Sequence, residues 1–307
     1  MGFNTGTLTR AEMNGFLEDH KVQFEKYLAA DIVGSTEPVE NKKTSVRKWG
    51  VPLGYGAAGD RDPNVNFGEP HPRGRSGMDT IDIDCAPIKW AEDIEKHDLK
   101  EMEAYVAAAN DLTLAAGHQV MRARDAKLAS ILGGNGSSGE DTDLTNFAIP
   151  SSEGWQTATS PIITHIRDAQ DAIGGDDLIC VMGRDRARQL SLNDYFTGAA
   201  AGSGVPFTNF SRIAELLMDE GVTQTIVGGA KYVNGERDFD AGFANLFAGV
   251  FYLGTPNNLK MFEFESLTYG EDEDKDKGIR AFMAEWVGCF RRAYKSNGIY
   301  FSNFAGS

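Results

Sequence analysis

The clearest pattern along the chain is a run of apolar positions at three- and four-residue spacing: Leu99, Met102, Val106, Ala109, Leu112, Ala116, Val120, Ala123, Leu128 and Ile131. This period predicts one helix over 98–132, about 35 residues and ~52 Å long at 1.5 Å per residue. Asp98 and Glu101 form a capping-box-like start, and Gly133-Gly134 ends the run. Ordinary helices average ~11–12 residues. No second helix of comparable length is predicted, so a coiled-coil partner within the chain is excluded and a sheet or neighbouring subunits must cover the apolar face. Alanines at 107–109 and 115–116 permit close approach of that cover.

Downstream, shorter patterns alternate. A helix is predicted over 161–173, a buried strand over 177–182, helices from 184 and 213, and a strand over 223–227. Strands follow at 246–253 and 261–267, and 279–301 is rich in strand-forming residues. Upstream, residues 1–45 read as a polar arm with a short amphipathic piece (Phe16, Leu17, Val22, Phe24, Tyr27, Leu28). Residues 46–84 are a long loop dense in Gly, Pro and Arg, with strand-like ends at 46–53 and 78–85. A loop of this length is uncommon without a task, and Trp49, Tyr55 and Phe67 give it groups to pack on a partner. The class is mixed α+β with one dominant helix and no internal repeat.

Composition narrows the picture. With 307 residues, 41% of them apolar, the chain can bury a sizeable core. Thirty basic against 45 acidic side chains give a net charge of −15, which argues against tight general binding to nucleic acid or an anionic membrane. An acidic chain can still enclose DNA without gripping it. No apolar run reaches the ~18 residues of a membrane span, and residues 1–10 lack the basic-then-apolar order of a signal peptide. Gly6 stands where a myristoylation motif wants a hydroxyl. These features predict a chain made and kept in a cytoplasm or in something assembled there. Cys85, Cys180 and Cys289 fit neither a disulfide framework nor a zinc site and read as buried small apolar residues.

Candidate chemistry is thin. The turn 133–139 lacks the Gly-Lys-Ser/Thr ending of a phosphate loop, and 198–204 opens no dinucleotide-type unit. Gly174-Gly175-Asp176-Asp177 suits a turn between helix and strand. The acidic stretch 271–278 fails as a calcium loop, because counting from Asp274 the required glycine position holds Ile279. It reads as a solvated turn between two strands, with opportunistic cation binding as the other reading. Histidines 20, 71, 97, 118 and 165 show no metal or nucleophile spacing. No catalytic, cofactor or metal residue is assigned, and enzyme activity is not expected.

The order of elements resembles the tailed-bacteriophage major capsid protein, the Hong Kong phage capsid fold, over nearly the whole chain. The stretch Ala86-Pro87-Ile88-Lys89-Trp90-Ala91-Glu92, leading into the long helix and Gly133-Gly134-Asn135-Gly136, is similar to that family's strand, spine helix and turn. Trp155, Pro161-Ile162 and Leu178-Ile179-Cys180-Val181-Met182-Gly183 resemble its post-spine region. Residues 226–234 and 248–253 resemble late strands of its central domain.

The resemblance implies an arm at 1–45, an extended loop at 46–84, a peripheral domain from 85–159 and 260–307 with the spine helix, and a central (axial) domain at 160–259. It implies a structural subunit, without cofactor, that self-assembles through pentamers and hexamers into an icosahedral shell enclosing phage double-stranded DNA. The implied partners are a portal and a separate scaffolding protein, with decoration proteins as an open addition. The implied place is the virion, assembled in the bacterial host cytoplasm, with no membrane. Arg61, Asp62, Arg73 and Arg75 on the loop, and Glu92, Glu95, Glu101 and Glu103 before and within the helix start, are the expected intersubunit contacts. A soluble α+β enzyme or small-ligand-binding protein is the alternative; it predicts a monomer or small oligomer with the loop folded over a pocket. A filament or tail-tube subunit would form open tubes without so long a helix.

Overall fold

The computed structural model describes residues 27, 29–53, 75–95, 105–134, 144–174, 177–202, 210–228, 230–233, 236–239, 247–256, 258–274, 279–292 and 297–305. The long helix is present over Tyr105–Leu132, 28 residues or about 42 Å. The predicted turn at 98–104 lies outside the described residues, as does the amphipathic piece of the arm except Tyr27. Gly134 follows the helix at φ 77°, and a Cβ there would stand 2.3 Å from the Tyr300 ring. Conformation and space together therefore require glycine where the sequence predicts the stop.

The first strands are β1 (Ser35–Pro38), β2 (Lys43–Leu53), β3 (Arg75–Asp84) and β4 (Ala86–Glu95). After the long helix come β5 (Thr145–Ala148), β6 (Leu178–Met182), β7 (Val222–Val227), β8 (Ala230–Val233) and β9 (Glu236–Phe239). The last are β10 (Phe251–Gly254), β11 (Leu259–Asp274), β12 (Ile279–Arg292) and β13 (Gly298–Ser302). They form a four-stranded sheet β1-β11-β12-β4, a seven-stranded sheet β5-β13-β10-β6-β7-β8-β9, and a separate ribbon β2-β3. The arm thus contributes a strand that its polar sequence did not predict: β1 runs parallel to β11, Ser35 opposite Lys260, with a Lys260–Glu37 ion pair. Thr145–Ala148 and Gly298–Ser302 pair with each other and hydrogen-bond into the seven-stranded sheet.

Strand periodicity explains the burial. Even residues of β12 (Ala284, Trp286, Phe290) face the long helix in one core, while Val287 and Cys289 face the root of the ribbon. In β6, Ile179 and Val181 join the core of the long helix. Leu178, Cys180 and Met182 join a second core under the helices Ile162–Ile173, Arg184–Leu192 and Phe210–Asp219. A strand covered on both faces loses the apolar–polar alternation, which is why 178–182 reads as a continuous hydrophobic run.

On the long helix, Ala109, Ala116, Val120, Leu128 and Ile131 are buried as predicted, but Ala123 is exposed and Arg124 and Asp125 are buried in its place. The interior step from Val120 to Leu128 passes through position 124, four residues from each. Asp125 Oδ1 accepts the Ala29 N–H at 3.2 Å, holding the short helix Ala29–Ile32 at the root of the arm. The Tyr27 hydroxyl meets His118 Nδ1 at 2.5 Å beside it.

Candidate functional site

The ribbon and the strand that follows it carry the described residues of the expected contact set. β2 and β3 pair antiparallel, Lys43 opposite Asp84 at the root and Leu53 opposite Arg75 at the far end, with a register shift between Trp49 and Pro52. Proline has no N–H to give the ladder there. The root is built into the subunit. Ile83 is buried with Phe262 and Val287, the Cys85 N–H donates to the Lys42 carbonyl at 2.8 Å, and Arg291 Nε donates to the Asp82 carbonyl at 2.9 Å. At its surface Ser45 Oγ donates to Asp82 Oδ1 at 2.6 Å and Lys43 pairs with Asp84 at 3.0 Å. Among the described residues no third strand pairs with the ribbon.

β4 continues directly from the ribbon and is the outer strand of its sheet, with no further strand on its free edge among the described residues. Its ten residues, seven of them exposed, include Pro87, Lys89, Glu92, Asp93 and Glu95, the kind of edge that resists indiscriminate pairing. Trp90 nevertheless stands 48% exposed, its indole N–H donating to Glu92 Oε1 at 2.8 Å. Beside it Lys89 pairs with Glu285 at 2.9 Å. A shallow cleft of about 540 Å³ runs along Trp90, Tyr269, Gly270 and Met283. Sequence reading named Trp90 only within the stretch 86–92; its signal as a surface spot is a tryptophan in a strand that also carries four charged residues and a proline.

Of the expected contact residues, Arg75 opens β3, Glu92 is half-buried opposite Phe282, and Glu95 is exposed at the end of β4 opposite Ile279. Glu92 and Glu95 share a strand but, three residues apart, point to opposite faces. Arg61, Asp62, Arg73, Glu101 and Glu103 lie outside the described residues.

Several other described titratable groups hold elements together. Trp155 Nε1 donates to His165 Nδ1 at 3.1 Å and His165 Nε2 meets Glu153 Oε2 at 2.8 Å, so the ring is the Nε2–H tautomer and pins the segment before the helix Ile162–Ile173. Arg167 holds Glu220 through two hydrogen bonds of 2.7 Å. They keep the Glu220 carboxyl below its ordinary range despite partial desolvation. Tyr195 also donates to Glu220, at 2.8 Å. All three cysteines are free and buried. Among the described residues no group of three or more His, Cys, Asp or Glu is placed to hold a metal ion. No described helix is long and apolar enough to cross a membrane.

No family model matches the chain, and no curated protein matches it. Solved structures do. The capsid of cyanophage P-SCSP1u is 9% identical with a TM-score of 0.57, over 88% of this chain and 86% of that one. A phage-related protein from Bordetella bronchiseptica is 11% identical with a TM-score of 0.60, over 92% and 93%. The virus-like particle from Pyrococcus furiosus is 11% identical with a TM-score of 0.54, over 94% and 98%. The chain has the α+β fold of these three structures, a phage capsid, a phage-related protein and a virus-like particle, along nearly its full length.

Proposed function

We propose that this chain is a structural subunit of a closed protein shell of the tailed-phage type, assembling through pentamers and hexamers of itself around DNA and performing no catalysis. The observation that carries this reading is the likeness to capsid and particle structures across about nine-tenths of both chains. The ribbon supports it independently: two strands alone are marginal in water, so their unpaired length is explained by a neighbouring copy. The peripheral unit is the long helix with the four-stranded sheet. The central unit is the seven-stranded sheet with its helices, which takes in Thr145–Ala148 and Gly298–Ser302.

Arg61, Asp62, Arg73 and Arg75 of the segment 46–84 would meet the acidic surface of a neighbour, with Glu92, Glu95, Glu101 and Glu103 as its charged groups. Such heterologous contacts between identical subunits close into rings and then into a lattice. A net charge of −15 suits a container that encloses DNA without tight binding. A portal, a separate scaffolding protein and decoration proteins are the partners of this role, and the virion is its place. The test is expression of the full chain with candidate scaffolding and portal proteins, followed by sedimentation and negative-stain microscopy. Closed, roughly spherical particles with this chain as the dominant component are expected. A stable monomer or dimer under every condition would overturn the reading in favour of an enzyme or ligand-binding protein.

A further inference from the structure

Cys85 is the single residue between β3 and β4, the point where ribbon becomes sheet. β12 pairs with β4 so that Gly288 stands opposite Ala86, and the same register carried one residue further sets Cys289 opposite Cys85. Their sulfurs lie 3.9 Å apart. Both side chains are buried, at 4% and 1% exposure, among Ile83, Phe262 and Val287. Directly opposed residues of antiparallel strands have Cα atoms about 4.5–5.5 Å apart, inside the range that a disulfide spans. The sulfurs need approach by only about 2 Å to reach bonding distance, a movement within reach of side-chain rotation.

We propose that Cys85 and Cys289 are an oxidisable dithiol that closes into an intrachain disulfide, fastening the root of the ribbon to the four-stranded sheet. The oxidant is a low-molecular-weight disulfide. One cysteine thiolate attacks it, forming a mixed disulfide and expelling a small thiolate. The second cysteine thiolate then attacks the protein sulfur of that mixed disulfide, the new S–S bond forms, and a second small thiolate leaves. Two cysteine thiols are oxidised, one small disulfide is reduced to two thiols, and the two cysteine protons end on the leaving sulfurs.

The pair is slow to react while the junction is closed, because the thiolate is the attacking species. Burial raises the Cys85 thiol and pushes Cys289 up to about 12. Oxidation therefore follows brief opening of the junction, and the bond, once formed, opposes reopening. It joins residues 204 positions apart, so it also constrains a long stretch of the unfolded chain. Cys180 sits in the other sheet and stays a thiol. The inference rests on the junction alone and holds whether or not the chain builds shells.

The test is incubation of the purified full chain with excess glutathione disulfide at about pH 8, followed by acid quench, denaturation, thiol counting and non-reducing peptide mapping. Titratable thiols should fall from three to one, a peptide linking Cys85 to Cys289 should appear, and the melting temperature should rise and fall back on reduction. Cys85→Ala and Cys289→Ala should each show no such link and no such reversible shift, the remaining cysteine of the pair going no further than a glutathione adduct. The treatment is repeated in mild denaturant below the unfolding transition, where the junction opens more often. Three thiols persisting there, a link through Cys180, or glutathione adducts without the Cys85–Cys289 link would overturn the proposal.

Discussion

Asp125 has 0% exposure midway along a helix, next to an arginine that is also buried and whose Nε lies 3.9 Å away. Desolvation lowers the Arg124 pKa, with Asp125 the largest opposing influence and Glu263 behind it. Asp125→Ala removes that counter-charge and the acceptor of the Ala29 N–H. Stability should fall by roughly 3 kcal/mol or more in chemical denaturation, since a buried charge is left poorly compensated. At the surface the scale is different. Glu220, held by the half-exposed Arg167, should be worth only about 0.5–1 kcal/mol. Its folded pKa lies below its unfolded value, so this stabilisation is present above ~4.3 and is lost as pH falls through the folded value. Glu220→Gln should flatten the decline of melting temperature on acidification below that point and lower stability slightly at neutral pH. Neither site was legible in the sequence: the apolar period counted Ala123 as interior and passed over the charged pair beside it, and Glu220 gains its role only when distant Arg167 is brought against it.

At the scale of elements, legibility followed how each segment is covered. The long helix was readable because its buried positions recur at three and four residues, and its end because Gly134 needs both a positive φ and the space that Tyr300 leaves. β6 was readable from its continuous apolar run. β1 was not, because Ser35–Pro38 is a polar edge strand whose partner lies in β11; nothing local marks it. The ribbon's two strands were visible as the ends of a long loop, while their mutual register was not. Ala109, at 0% exposure in the long helix, gives a direct test. Ala109→Pro removes an N–H and clashes with the preceding turn, costing about 3 kcal/mol or more. Soluble yield and helical circular dichroism should both drop sharply; normal values would mean that the helix is interrupted there.

For the whole molecule, the proposed shell role would have the ribbon separate folding from assembly. Its root belongs to the subunit core, whereas its far end pairs with no third strand among the described residues. Deleting residues 56–76 should therefore leave the subunit folded, with a melting temperature close to that of the full chain, yet abolish closed particles in microscopy. Particle yield equal to the full chain would contradict the intersubunit role. The pairing order of the two sheets also sets a timetable for synthesis. β4 must wait for β12, and β1 for β11, and β5 waits for β13. Roughly 180 residues separate the end of β4 from the start of β12, which at 5–20 residues per second is about 10–40 s on the ribosome. Over that interval the long helix has emerged with its apolar face bare and β4 without a neighbour, so both sheets can close only late in synthesis.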